Sequence, residues 1–126
     1  MYAFRIVDGA SGQYRVRFTY NSEIMVWSEN FTSKDAAKRN ISSLKANASG
    51  APIVDLTLGE TRSGYRWEVV KSSDGQYFTR FLASNGETIV RSERYTQKHN
   101  AKNCASSVSN NAGSARVIDE TKAQAA

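Results

Sequence analysis

The chain has 126 residues, with 17 basic side chains against 12 acidic ones and a formal net charge of +5. That length suits one compact unit, or two that are too small to fold well alone. A single His and a single Cys exclude a four-ligand structural zinc site built from Cys and His and any disulfide within one chain.

Elements can be read off in chain order. Residues 2–7 form a first strand, closed by a turn at Gly9-Ala10-Ser11-Gly12. Residues 13–19 form a second, whose alternation places Tyr14, Val16 and Phe18 on one face and Arg15 and Arg17 on the other. A third strand covers 23–28. The period then changes. Ala37, Ile41, Leu44 and Ala48 recur at helical spacing as a narrow stripe of small residues. Thr32 stands where an N-cap belongs. Ser49-Gly50 offers a left-handed stop, and a short strand follows at 52–56.

The plan then repeats. Strands are expected at 65–70, 76–82 and 87–92, with Asn85-Gly86 as a hairpin turn. A helix carries Ala101, Ala105, Val108 and Ala112 behind Thr96, and a last strand spans 116–119. Gly12-Gln13-Tyr14-Arg15-Val16-Arg17-Phe18 aligns with Gly75-Gln76-Tyr77-Phe78-Thr79-Arg80-Phe81. Ser28-Glu29-Asn30-Phe31-Thr32-Ser33-Lys34 aligns with Ser92-Glu93-Arg94-Tyr95-Thr96-Gln97-Lys98. More than two in five positions from Gly12 to Asp55 are identical to their counterparts, so the chain is a tandem duplication. The fold class is α+β: two β-β-β-α-β repeats, 1–57 and 65–120, joined by a linker at 58–64. They share one antiparallel sheet in a single pseudo-two-fold domain over 1–120, with both helices on one face. The tail 121–126 has nothing to bury and is expected to be disordered.

Gly-x-Tyr-x-x-Arg-Phe, Asn-Gly-Glu-x-Ile, Ser-Glu-x-Tyr-Thr-x-Lys and Ser-Val-x-x-Asn-Ala follow in order at 75–81, 85–89, 92–98 and 107–112. The first copy is looser, with Asn21-Ser22 and Ser43-Leu44 in place of Asn-Gly and Ser-Val. This series resembles the YegP-like family of small bacterial proteins. The resemblance implies that the units assemble into a single sheet and exchange their C-terminal strands. Ile53-Val54 would then pair with the second unit, and Val117-Ile118 with the first. It implies no activity and no site residues, because the family is one of unknown function.

Chemistry is sparse. His99 is the one side chain that titrates near neutrality by default. It falls in the first turn of the second helix, where the first copy has Asp35. Cys104 matches Asn40 beside the apolar stripe and reads as a structural thiol. Gly9-Ala10-Ser11-Gly12 lacks the Lys and helix of a phosphate loop. Glu23/Glu87, Glu29/Glu93 and Asp55/Asp119 follow turns or end elements, where turn bonding explains them. No catalytic residue, cofactor or metal is expected. The N-terminus lacks the apolar core of a signal peptide. No apolar run approaches the ~20 residues that cross a bilayer, and a lone thiol suits a reducing compartment. The expected location is the cytoplasm.

Arginines are more informative. Seven of ten lie on or beside predicted strands: Arg5, Arg15, Arg17, Arg66, Arg80, Arg91 and Arg116. Alternation sends Arg15, Arg17 and Arg80, with Phe78, to the face opposite the aromatic core, where Tyr14, Phe18, Trp67, Tyr77 and Phe81 belong. Lys34, Lys38, Arg39, Lys98 and Lys102 add charge on the helices. The expected contact residues are Arg15, Arg17, Phe78 and Arg80. Arg5 and Trp27 are further candidates, and the side of the sheet that Trp27 takes is left open. A half-exposed sheet also needs long polar residues outside simply to cover apolar surface. The functional expectation is a small non-enzymatic binding or interaction protein with an acidic protein or other acidic partner. The alternative is weak nucleic-acid binding through the arginine face. A monomer is expected, because the two repeats complete one sheet.

Overall fold

The computed structural model describes residues 1–121. The first repeat supplies β1 (Tyr2–Asp8), β2 (Tyr14–Tyr20), β3 (Glu23–Trp27), α1 (Lys34–Asn47) and β4 (Ile53–Asp55). The second supplies β5 (Arg66–Lys71), β6 (Tyr77–Leu82), β7 (Thr88–Ser92), α2 (Lys98–Asn111) and β8 (Arg116–Asp119). Short 3-10 turns occupy Ala10–Gly12, Leu56–Leu58 and Ala112–Ser114. Among the described residues no helix is long and apolar enough to cross a membrane.

All eight strands join one sheet in the order β4-β5-β6-β7-β3-β2-β1-β8. The sheet is mixed rather than antiparallel throughout, which corrects the expectation. β4 runs parallel to β5, and β8 parallel to β1. A parallel neighbour requires the chain to return to its starting end. The segment from Leu56 to Tyr65 makes that return before β5. The repeats meet at the antiparallel β3–β7 seam, where Val26 faces Ser92 and Trp27 faces Arg91.

Each repeat carries the same irregularity. The β2–β3 register shifts between Phe18 and Thr19, leaving Met25 unpaired, and the β6–β7 register shifts between Phe81 and Leu82, leaving Ile89 unpaired. A carbonyl freed at a bulge needs another donor. The Met25 carbonyl accepts from the Cys104 Sγ of α2 at 3.6 Å, and the Ile89 carbonyl accepts from the Asn40 Nδ2 of α1 at 3.3 Å. Each helix therefore reaches a bulge in the other repeat.

Phe4, Phe18 and Val26 from the first repeat and Trp67, Phe81 and Val90 from the second pack with Ala37, Ile41 and Leu44 of α1 and Cys104, Ala105 and Val108 of α2 in one cluster. The aromatic contacts are repeated too. Phe4 meets Phe18 edge-on at 4.8 Å, and Trp67 meets Phe81 at 4.9 Å. Tyr14 and Tyr77, expected in the core, are only half-buried. Both sit at the strand starts, in isolated bridges to Phe31 and Tyr95.

Those bridges also displace the helix caps. Tyr14 and Phe31 exchange both backbone hydrogen bonds, at 2.8 and 2.6 Å, so the chain stays extended past Thr32. The α1 cap is Ser33, whose Oγ accepts from the Ala36 N–H at 3.1 Å. The second repeat has Gln97 at that position, with no side-chain cap bond. The expected caps Thr32 and Thr96 lie one residue too early. Thr121 is also corrected. It is buried, and its N–H and hydroxyl donate to Asp119 Oδ1 at 3.0 and 2.7 Å. The rest of the expected disordered tail, 122–126, lies outside the described residues.

Candidate functional site

On the face away from the helices, strand registers align one residue from every strand. Across the sheet the row reads Val54, Glu68, Arg80, Arg91, Trp27, Arg17, Arg5, Ile118. Trp27 thus lies on the open face, between Arg17 and Arg91. Arg15 and Phe78 stand two residues from Arg17 and Arg80 on the same strands, and so on the same face. The repeat relates Arg5 to Glu68, Arg17 to Arg80, Arg15 to Phe78 and Trp27 to Arg91.

These side chains meet different fates. Glu68 is 8% exposed and holds two guanidinium groups. Its Oε1 accepts from Arg80 Nε and Nη2 at 3.0 and 2.8 Å, and its Oε2 accepts from Arg66 Nε at 3.0 Å. Such a pair is charge-assisted and directional. The guanidinium of Arg91 lies 4.4 Å from the centre of the Phe78 ring, a cation–π contact. Arg5 is tied to Glu120 at 2.5 Å and donates to the Thr19 hydroxyl at 3.1 Å. Among the described residues neither Arg15 nor Arg17 forms an ion pair. The Nε of Arg15 is buried with no hydrogen-bond partner among the described residues.

Of the four expected contact residues, Arg15 and Arg17 are therefore available. Arg80 is held in an ion pair by Glu68, which it shares with Arg66, and Phe78 is covered by Arg91. A shallow cleft of about 190 Å³ opens beside the β3–β7 seam, lined by Arg15, Trp27 and Arg91 with Ser28, Glu29 and Ile89. Sequence reading passed over Arg91 as a contact. The signal was present: Arg91 aligns with Trp27, so both occupy one station on either side of the seam.

A second set of charges was read differently from the sequence. Asp55 ends β4 and is 4% exposed, and its Oδ2 lies 3.0 Å from Lys98 Nζ and 3.1 Å from Lys102 Nζ. Burial would raise its pKa, but the Thr57 hydroxyl, the two lysines and the Thr57 N–H hold it well below the usual carboxylate range. Asp119 ends β8 and pairs with Lys34 at 3.2 Å. Bonds from the N–H and hydroxyl of Thr121, and then Lys34, lower its pKa. Turn bonding explains part of each aspartate, as expected. The rest is an ion pair from one repeat's last strand to the other repeat's helix. Lys34, Lys98 and Lys102 are therefore engaged, and do not add free charge to a helix surface. Retention of both Asp55/Asp119 and Lys34/Lys98 in the two copies is the sequence signal for this contact.

The remaining chemical candidates stay apart. His99 is exposed on the first turn of α2. Cys104 is buried, which pushes its thiol up to about 11, against a lowering from the Tyr95 hydrogen bond. It lines a cleft with Glu23, Met25 and Tyr95 that His99 does not reach. Ser28 and Ser92 are structural: their Oγ atoms accept from the Val16 and Thr79 N–H groups at 2.9 and 3.0 Å, and donate to the carbonyls of Glu29 and Glu93 at 2.8 Å. Among the described residues no three His, Cys, Asp or Glu side chains converge to hold a metal ion.

Comparison with known proteins agrees with the duplication. A family described as a domain of unknown function (DUF1508) matches twice, at residues 10–55 and 72–119. A UPF0339 protein of Bordetella pertussis is 32% identical over 82% of this chain and 81% of its own length. UPF0339 protein Msl4696 of Mesorhizobium japonicum is 44% identical over 52 residues, which make up 41% of this chain but 90% of that protein. That relative is therefore about one repeat long. The solution structure of yegP from E. coli, a protein of unknown function, superposes with a TM-score of 0.76 at 24% identity and covers 96% of this chain and 94% of its own. UPF0339 protein SO3888 from Shewanella oneidensis gives 0.75 at 19% identity, covering 95% and 92%. The chain belongs to the YegP-like DUF1508 family and carries two copies of its domain.

Proposed function

We propose that the protein is a non-enzymatic cytoplasmic binding module. Its contact surface is the first-repeat side of the open sheet face together with Arg91 across the β3–β7 seam, and its partner is anionic. One observation supports the reading: among the described residues Arg15 and Arg17 have no carboxylate partner, whereas in the second repeat Glu68 holds Arg66 and Arg80 in ion pairs. Uncompensated guanidinium groups beside a cleft attract anions and steer their approach. The contact set becomes Arg15, Arg17, Trp27 and Arg91. Phe78 and Arg80 serve mainly to hold Arg91 and Glu68 in place.

The same reading has a structural half. Each repeat lends its last strand to the other, and both helices cover one face, so the chain is complete as a monomer. The parallel β4–β5 and β1–β8 pairings support this, as do the ion pairs from Asp55 and Asp119 to the opposite helices. For catalysis, the buried Cys104 thiol and the isolated His99 offer no nucleophile and base in reach of each other.

The test is binding of fluorescent polyglutamate to the full chain at low salt. Arg15→Ala/Arg17→Ala should weaken binding at least fivefold. Lys38→Ala/Arg39→Ala, which removes the same charge from the exposed side of α1, should leave it within twofold. Equal losses in the two variants would reject the first-repeat face as the contact.

A further inference from the structure

Resting on the reading above that this part of the face is the contact surface, we infer that its anionic partner is single-stranded nucleic acid, with a base stacked on Trp27 between Arg17 and Arg91. The placement comes first. Trp27 directly faces Arg17 on one side and Arg91 on the other. Neighbouring strands are ~4.8 Å apart, so one nucleotide can touch all three side chains. Trp27 is half-buried and lines the cleft, whereas Trp67 is fully buried in the core. Only Trp27 can meet a ligand.

The kind of cation supports the same partner. Every basic residue of the open-face row and its flanks is arginine: Arg5, Arg15, Arg17, Arg66, Arg80, Arg91 and Arg116. Guanidinium groups fork onto phosphates and stack on planar rings, which ammonium groups do not. An acidic protein would need the charge but not the tryptophan. A duplex keeps its bases stacked on each other and leaves Trp27 nothing to hold. A single strand offers phosphates for Arg15, Arg17 and Arg91 and an unstacked base for the indole. Glu29 on the cleft wall repels a phosphate, and can instead accept from an exocyclic amine of the base.

The experiment titrates the full chain with a labelled single-stranded 12-mer, the same sequence as duplex, and polyglutamate. Anisotropy and tryptophan emission are followed at several salt concentrations. The single strand should bind tightest and quench emission, since the exposed ring is Trp27. Affinity should fall with salt with a log–log slope of about −2 for three arginines. Trp27→Ala should weaken binding about tenfold. Arg17→Ala/Arg91→Ala, which leaves the ring and the core intact, should remove about 1.4 from that slope. Absence of single-strand binding at low salt, a tighter duplex, or binding without quenching would overturn the inference. If polyglutamate binds and the single strand does not, the anionic-contact reading stands and the nucleic-acid inference fails. If neither binds, both fail.

Discussion

In the first repeat Arg5 and Arg17 face each other on β1 and β2; in the second the same stations hold Glu68 and Arg80 on β5 and β6. The two halves share strand order, bulges, aromatic contacts and the Ser28/Ser92 hydroxyl bonds. They differ on the outer face. Glu68 ties Arg66 and Arg80 of its half into an ion-pair network, while among the described residues Arg15 and Arg17 of the first half form no ion pair. A duplication holds the core in both copies, because each helix packs against a sheet that both copies build. The outer face carries no such constraint, so one copy can become structural while the other stays open to a partner.

The strand ends show the same inequality. Asp55 is 4% exposed between Lys98 and Lys102, whereas Asp119 is 27% exposed beside Lys34, so burial is what separates the two ends. Removing one side of a buried pair leaves an uncompensated charge. Asp55→Asn should therefore lower unfolding stability by about 2–3 kcal/mol in urea titration, and Asp119→Asn by about 1 kcal/mol. Equal losses would erase the difference between the ends.

Glu68→Gln sharpens the comparison of the faces. It leaves the guanidinium groups of Arg66 and Arg80 short of a countercharge, at a cost of about 2 kcal/mol. Arg17→Ala, on the unpaired side, should change stability by less than about 0.5 kcal/mol. Thermal unfolding of the two variants measures this directly.

The pH dependence is the subtler check. The folded pKa values of Asp55 and Asp119 are depressed, so their stabilisation is fully present above the unfolded carboxylate pKa of ~3.9 and is lost as pH falls towards the folded values. Each contributes a slope of up to about 1.4 kcal/mol per pH unit in that window. Asp55→Asn should flatten the acid limb of the stability curve. An unchanged limb would remove the cross-repeat ion pair from the account.

Much of the fold was legible because it was written twice. Alternation in Tyr14-Arg15-Val16-Arg17-Phe18 set the faces of β2, and the matching run at 77–81 set those of β6. Cap positions were not legible, since Thr32 looks like a cap until the Tyr14–Phe31 bridge extends the chain past it. The exchange of last strands came only through the family resemblance, and the parallel direction of the two edge pairs was not read at all, because strand composition does not record which neighbour a strand meets. At the site, Arg15 and Arg17 could be named from alternation alone. The loss of Arg80 to Glu68 could not. Those two are adjacent only because β5 and β6 pair in register, a fact of tertiary structure.

The most direct test of the central claim compares two charge-matched double variants for binding of a labelled anionic probe at low salt, the single-stranded 12-mer or polyglutamate. Arg15→Gln/Arg17→Gln should lose binding at least fivefold, with stability nearly unchanged. Arg66→Gln/Arg80→Gln removes the same charge from the second repeat, and should lose stability while binding stays within about twofold, since those arginines are already held by Glu68. Equal losses of binding in the two variants would mean that only net charge matters, and would contradict the division of the sheet face into an open half and a closed one.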